Sequence, residues 1–259
     1  MTDNRVVLVT GASSGIGYAT ALAFARRGLN VVGTARDAAR LQGLADAIKP
    51  LPGKFLPVAA DVRDEGDMNR AAQRAVEEFG RLDIIIANAG LGQRGAMIDA
   101  DWADLSTLIH TNIDGVMLTL KAGVPHLRQN KSGHIVLVSS IVFNLVSPYA
   151  ATYAATKAFV SSLARSLRFE LKPYNIRVTD LRVGRTATGF DDNRLGEGKR
   201  KSSGRLPVMS AEQVADGIVR VTLDKPQDTV ALRWIDRLIV LGNRLFPNWI
   251  GSLAARQYK

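Results

Sequence analysis

Cysteine is absent from the 259-residue chain, which excludes a disulfide framework and any thiolate-held metal. Long apolar runs are absent too, and none approaches the ~20 residues needed to cross a bilayer. Met1-Thr2-Asp3-Asn4-Arg5 leads straight into an apolar segment with no secretory signal before it, so the expected location is cytoplasmic. Neither an internal repeat nor a linker divides the sequence, and one domain over 1–259 is expected. With 46% hydrophobic residues, the chain can fill one well-packed core.

Short β-branched apolar runs alternate with helical stretches. The expected strands are Arg5 to Thr10, Asn30 to Thr34, Phe55 to Ala60, Ile84 to Asn88, His134 to Ser139 and Ile176 to Leu181, with a seventh near Thr229 to Leu232. Ile84-Ile85-Ile86-Ala87 is apolar without alternation, the mark of a strand covered on both faces. The pattern predicts an α/β fold with a doubly wound parallel sheet of about seven strands and helices on both faces. Gly28 and Gly80 stand where the helices before the second and fourth strands should stop.

Two clusters carry chemistry. Thr10-Gly11-Ala12-Ser13-Ser14-Gly15-Ile16-Gly17 follows the first strand and opens a helix expected over Tyr18 to Arg27. A strand, a glycine turn and a helix N-terminus in that order converge backbone N–H groups on a pyrophosphate. Tyr153 and Lys157 stand four residues apart, one helical face, with Ser140 thirteen residues before the tyrosine. An ammonium about 4 Å from a phenol, at an effective dielectric of ~20, favours the phenolate by roughly 4 kcal/mol before desolvation. A tyrosine that ionises near pH ~10 in isolation thereby comes within reach of neutral-pH acid–base work.

With Asn88-Ala89-Gly90 after a buried strand, and Asn112, these motifs resemble the short-chain dehydrogenase/reductase family from about Val6 to Thr188. The resemblance implies a Rossmann-type fold, a nicotinamide dinucleotide cofactor, and hydride transfer between a carbonyl and a secondary alcohol. It assigns Tyr153 as general acid/base and Ser140 as the hydroxyl that bonds the reacting oxygen. Lys157 would depress the tyrosine pKa and bond the nicotinamide ribose, and Asn112 would support a proton-relaying water. Ser139 is the rival of Ser140 and is left a supporting part. The cofactor set is Thr10, Gly11, Ser13, Ser14, Gly15, Ile16 and Gly17 at the turn, Asp61 and Val62 at the adenine, and Asn88, Ala89 and Gly90 at its ribose. Gly184, Thr186 and Thr188 complete it beside the nicotinamide. Asp61 has a second reading, as a helix cap before Glu65.

Ala35 occupies the position of the family acid that bonds the ribose hydroxyls of NAD, and Arg36 follows it. A guanidinium grips a 2′-phosphate bidentately, so the expected cofactor is NADP(H) rather than NAD(H). Val183 stands in place of the family proline, which suggests a less rigid loop there. Arg182 and Arg185 flank this corner and are expected to meet phosphate, solvent or an anionic substrate. Residues 189–209, rich in glycine and charge, read as a mobile substrate lid. Leu91 to Met97 and Ile141 to Pro148 are the other expected pocket walls, apolar through Met97, Phe143, Leu145 and Val146, which favours a hydrophobic ketone or alcohol.

The extension over 228–259 is apolar and basic, with Trp234 and Trp249. Packing on the pocket or on a second subunit of a homodimer or homotetramer is favoured over peripheral contact with an anionic membrane. The net charge of +10 raises nucleic acid as a partner, but the basic residues are dispersed and no nucleic-acid module is present. A nucleotide-binding sensor or scaffold without turnover stays open as the non-catalytic alternative. No metal is expected.

Overall fold

The computed structural model describes residues 4–190, 192–196 and 208–256. Its elements run β1 (Val6–Thr10), α1 (Gly15–Arg26), β2 (Asn30–Ala35), α2 (Ala38–Ile48), β3 (Phe55–Ala59), α3 (Glu65–Phe79) and β4 (Ile84–Ala87). They continue through α4 (Trp102–Ile109), α5 (Gly115–Gln129), β5 (Gly133–Ser140), α6 (Ala151–Leu171) and β6 (Ile176–Val183). The chain closes with β7 (Thr186–Ala187), β8 (Met209–Ser210), α7 (Ala211–Val219), β9 (Thr229–Ala231), α8 (Trp234–Leu245) and α9 (Pro247–Arg256). Seven strands form one sheet in the order β3-β2-β1-β4-β5-β6-β9, every neighbour parallel. The order reverses beside β1, so the ends of β1 and β4 open a crevice where a dinucleotide fits.

Successive strand residues point to opposite faces, so a continuous apolar run feeds two cores. Val7, Val9 and Ile86 pack with Phe24, Leu41 and Val214 on one face. On the other, Val6, Leu8 and Ile85 pack with Met68, Leu120 and Val160. Burying each such side chain contributes about 1.5–3 kcal/mol.

The seven expected strands all form, shifted by one or two residues at their ends. Helix α1 starts at Gly15, three residues before the expected Tyr18, so the glycine turn flows directly into helix. Gly28 and Gly80 adopt left-handed backbone where α1 and α3 stop. Strand β6 continues to Val183, which pairs with Ser140. The position of the missing family proline thus lies at the end of a strand, in extended backbone.

His134, at the start of β5, is buried and bonds Thr179 Oγ1 through Nε2 at 2.9 Å. Burial, with Arg177 adding to it, lowers its pKa from 6.5 to about 4. The unfolded chain therefore takes the proton first, and stability present above about pH 6.5 is lost as the pH falls toward about 4. Urea unfolding at pH 7 and pH 5 should show this loss, up to ~3 kcal/mol at its limit, and His134→Gln should flatten the dependence.

Candidate active site

The glycine turn is built by contact. Thr10 Oγ1 accepts from the backbone N–H of Asn88 (3.0 Å) and Ala89 (3.1 Å), and Asn88 Nδ2 donates to Thr10 O at 2.9 Å. These bonds lock the ends of β1 and β4 together. A Cβ on Gly17 would stand 2.2 Å from Gly11 O, and one on Gly11 3.0 Å from Ala89 Cα, so neither position admits a side chain. Helices α2, α3, α4 and α7 are capped by Asp37, Asp64, Asp101 and Ser210. Ser14, the N-cap of α1, is exposed and makes no side-chain cap bond. The N-terminal N–H groups of α1 thus face the crevice uncapped, in the geometry that receives a phosphate. Thr188 closes the same corner, 3.3 Å from where a Gly15 Cβ would lie.

At the adenine end, Arg36 is exposed just past β2. Asp61 lies within its electrostatic reach, so one carboxylate does approach the guanidinium. Arg63 already holds that carboxylate, through Nη2 at 2.6 Å and Nε at 3.0 Å, and with Arg36 keeps it below the usual range. The helix cap is Asp64, so the capping reading of Asp61 is not what forms. Val62 is buried against Gly115.

The second cluster, Ser140, Tyr153, Lys157 and Asn112, sits where β5 ends. Lys157, on α6, is buried and donates from Nζ to Val138 O at 2.9 Å. Burial pushes its pKa down from 10.5 to about 8, against the pull of Asp180. The Lys157 ammonium lies 5.9 Å from the centroid of the Tyr153 ring. Ser140 Oγ donates to Val183 O at 3.1 Å. Asn112 is buried in a π-helical turn, His110–Asp114, between α4 and α5. Its Oδ1 accepts from Leu91 N at 2.8 Å, and its Nδ2 donates to Leu91 O and Thr156 Oγ1. Gly90 joins the two groups: a Cβ there would be 3.1 Å from Asn112 Oδ1 and 3.6 Å from Lys157 Nζ.

A family model for short chain dehydrogenases matches residues 5–197. The chain belongs to the short-chain dehydrogenase/reductase family. It is an oxidoreductase, and the 3-oxoacyl-[acyl-carrier-protein] reductase FabG of Thermotoga maritima is 30% identical over 226 residues, 86% of this chain and 92% of that one. A 3-ketodihydrosphingosine reductase of Bacteroides thetaiotaomicron is 34% identical over 192 residues, 73% and 67% of the two chains. The crystal structure of a 3-ketoacyl-(acyl-carrier-protein) reductase from Brucella melitensis, complexed with NADH, superposes with TM-score 0.78 at 28% identity, covering 87% and 94%. A nicotinamide cofactor fits this protein's own geometry: a tightly packed glycine turn that leads into a helix end with no side-chain cap.

Within this short-chain dehydrogenase, the residues that flank the cluster are held by protein contacts of their own. Ser139 points away from Ser140, as neighbours on a strand must, and donates to Asp180 and to Leu181 O. Asp180, fully buried, also accepts from Ser161 and from Arg182 Nε at 2.9 Å. Arg182 stacks 3.9 Å over the Phe143 ring and keeps 19% of its side chain exposed, so its first partners are Asp180 and that ring. Arg185 differs: its Nη1 is buried and has no hydrogen-bond partner among the described residues. Gly184 turns toward the Arg233–Asp236 ion pair, and a Cβ added to it would stand 2.5 Å from Arg233 Nη2. Thr186 Oγ1 donates to Gly184 O.

The expected lid falls largely outside the described residues, at 191 and 197–207. Its described part is pinned: Leu195 N donates to Gly92 O at 2.9 Å and Arg94 N to Leu195 O at 3.0 Å. Phe190, which nothing in the sequence singles out among the charges around it, lies with its ring centroid 6.0 Å from that of Tyr153. Phe143, Leu145, Val146 and Pro148 line an apolar hollow of about 440 Å³ with Ala151, Ala154 and Ala158 of α6. That hollow contains neither Tyr153 nor Ser140, and Met97 is on the surface, 53% exposed.

Proposed function

We propose that this oxidoreductase interconverts a hydrophobic ketone and its secondary alcohol with NADP(H), using Tyr153 as general acid/base. The observation that carries the reading is the buried Lys157 ammonium on the Tyr153 face of α6. In a site of low dielectric its charge acts on the phenol with little screening. With a pKa of about 8, Lys157 is mostly protonated at neutral pH. Ser140 exchanges its bond to Val183 O for one to the substrate oxygen and steadies the charge that gathers there. Tyr153 gives its proton to that oxygen in reduction and takes it back in oxidation. The π turn at Asn112 withdraws a backbone carbonyl from the helical ladder, and we assign it the water that resupplies Lys157.

When bound, the nicotinamide supplies the hydride. The chain's part is to hold it: Thr10, Gly11, Ser13, Ser14, Gly15, Ile16 and Gly17 at the pyrophosphate, Asn88, Ala89 and Gly90 beneath the ribose, and Thr186 and Thr188 at the carboxamide. Asp61 and Val62 border the adenine. Arg185 Nη1, buried and unpartnered, suits a phosphate oxygen. Arg36 takes the 2′-phosphate, because Ala35 offers no carboxylate and Asp61 is already occupied by Arg63. Two relatives are named for ketone substrates, a 3-oxoacyl group and 3-ketodihydrosphingosine, which agrees with a ketone here. Exposed Ile98, Trp102 and Met117, on and before α4 and α5, suit a homodimer or homotetramer of a cytoplasmic enzyme.

Oxidation of NADPH with a panel of apolar ketones tests the reading. Tyr153→Phe should lower kcat by ~100-fold or more while NADPH still binds; full activity in that variant, or no turnover of any ketone by the wild type, overturns it in favour of a nucleotide-binding sensor. Arg36→Asp should shift the preference for NADPH over NADH by roughly tenfold or more toward NADH. An unchanged ratio would remove the assignment of the 2′-phosphate.

A further inference from the structure

Helix α8 turns two polar side chains inward, beside the half-buried Ile239 and Val240. Asp236 and Asn243, seven residues and two turns apart, are buried. Asp236 accepts from Arg233 Nε (2.9 Å) and Nη2 (2.6 Å) beside Gly184. Asn243 Oδ1 accepts from Val146 N at 3.1 Å, and its Nδ2 donates to Asn144 O. The opposite face carries Trp234, Leu238, Leu241 and Leu245, and Phe246 just after α8 and Trp249 in α9 add to the apolar surface. These six side chains are 51% to 72% exposed. A helix that served only its own core would show the reverse arrangement. So broad an apolar stripe in water marks a surface that is covered by something else.

Charge selects the cover. Over residues 234–256 the exposed ionic groups are Arg237, Arg244 and Arg256, and the single carboxylate is the buried Asp236. Arg237 and Arg244 fall on one flank of the stripe, three residues after Trp234 and after Leu241. A two-fold pairing of this face with a second copy would crowd arginines against arginines. No helix among the described residues is long and apolar enough to cross a membrane. We propose that α8 and α9 dock the protein on the surface of an anionic phospholipid bilayer, the indoles and leucines entering the headgroup layer and the arginines meeting lipid phosphates. This reverses the order that the sequence alone favours, in which packing on the pocket or on a subunit comes first. The helix does pack on the Asn144–Val146 loop, but it spends its polar side there.

The proposal is independent of the catalytic reading and is tested without turnover. The full-length protein is co-sedimented with phosphatidylcholine vesicles, with and without phosphatidylglycerol. Binding should be roughly tenfold or more tighter to the anionic vesicles. The double variant Leu238→Glu/Leu241→Glu should lose it while keeping the wild-type circular dichroism and melting temperature, and Trp234→Ser serves as a milder second variant. Arg237→Glu/Arg244→Glu should lose the preference for phosphatidylglycerol. Absence of binding to either vesicle, binding unchanged in both apolar variants, or a dimer that those variants split in a protein that binds no vesicle would each overturn the proposal.

Discussion

A single amine, taken out of water at the end of β5, is the group around which this site is arranged. Lys157 donates to the Val138 carbonyl, and burial lowers its pKa to about 8 without taking it below neutrality. Asp180 opposes the loss of charge. The result is an ammonium whose field is little screened, on the helix face that carries Tyr153. Fully solvated, the same lysine would act on the phenol far more weakly.

Much of the surrounding structure serves to keep that amine in place. Strand β5 supplies Val138, Ser139 and Ser140 in succession, and their alternation sends Ser140 to the Val183 carbonyl and Ser139 to Asp180. Strand β6 supplies Asp180 and Arg182 on one face, with Val183 paired to Ser140. The π turn brings Asn112 against Leu91 and Thr156, one residue before Lys157. Gly90 leaves room for both. A buried carboxylate with one arginine and two hydroxyls is costly to assemble and strongly specified once assembled.

The sheet is readable in the sequence because strands buried on both faces need unbroken apolar runs, and Val6-Val7-Leu8-Val9 and Ile84-Ile85-Ile86 supply them. The glycine turn is readable because its spacing reports backbone contact. Asp180 is not, since its partners Ser139 and Ser161 are 41 and 19 residues away and nothing local marks them. Phe190 is hidden in a charged stretch, and its place beside Tyr153 depends on the bridge from Leu195 to Gln93. The apolar period of α8 is visible, but periodicity does not say which face turns inward; two side chains, Asp236 and Asn243, decide that.

The state of Lys157 is reported most directly by the pH dependence of kcat/KM for ketone reduction at saturating NADPH, measured for the wild type and for Lys157→Met. Below pH about 8 the ammonium is present, and above it the charge is lost. The wild-type value should therefore fall as the pH rises through about 8, and Lys157→Met should be at least ~100-fold slower with no such fall. A wild-type profile that stays level through this range, or a methionine variant that matches it, would contradict the account.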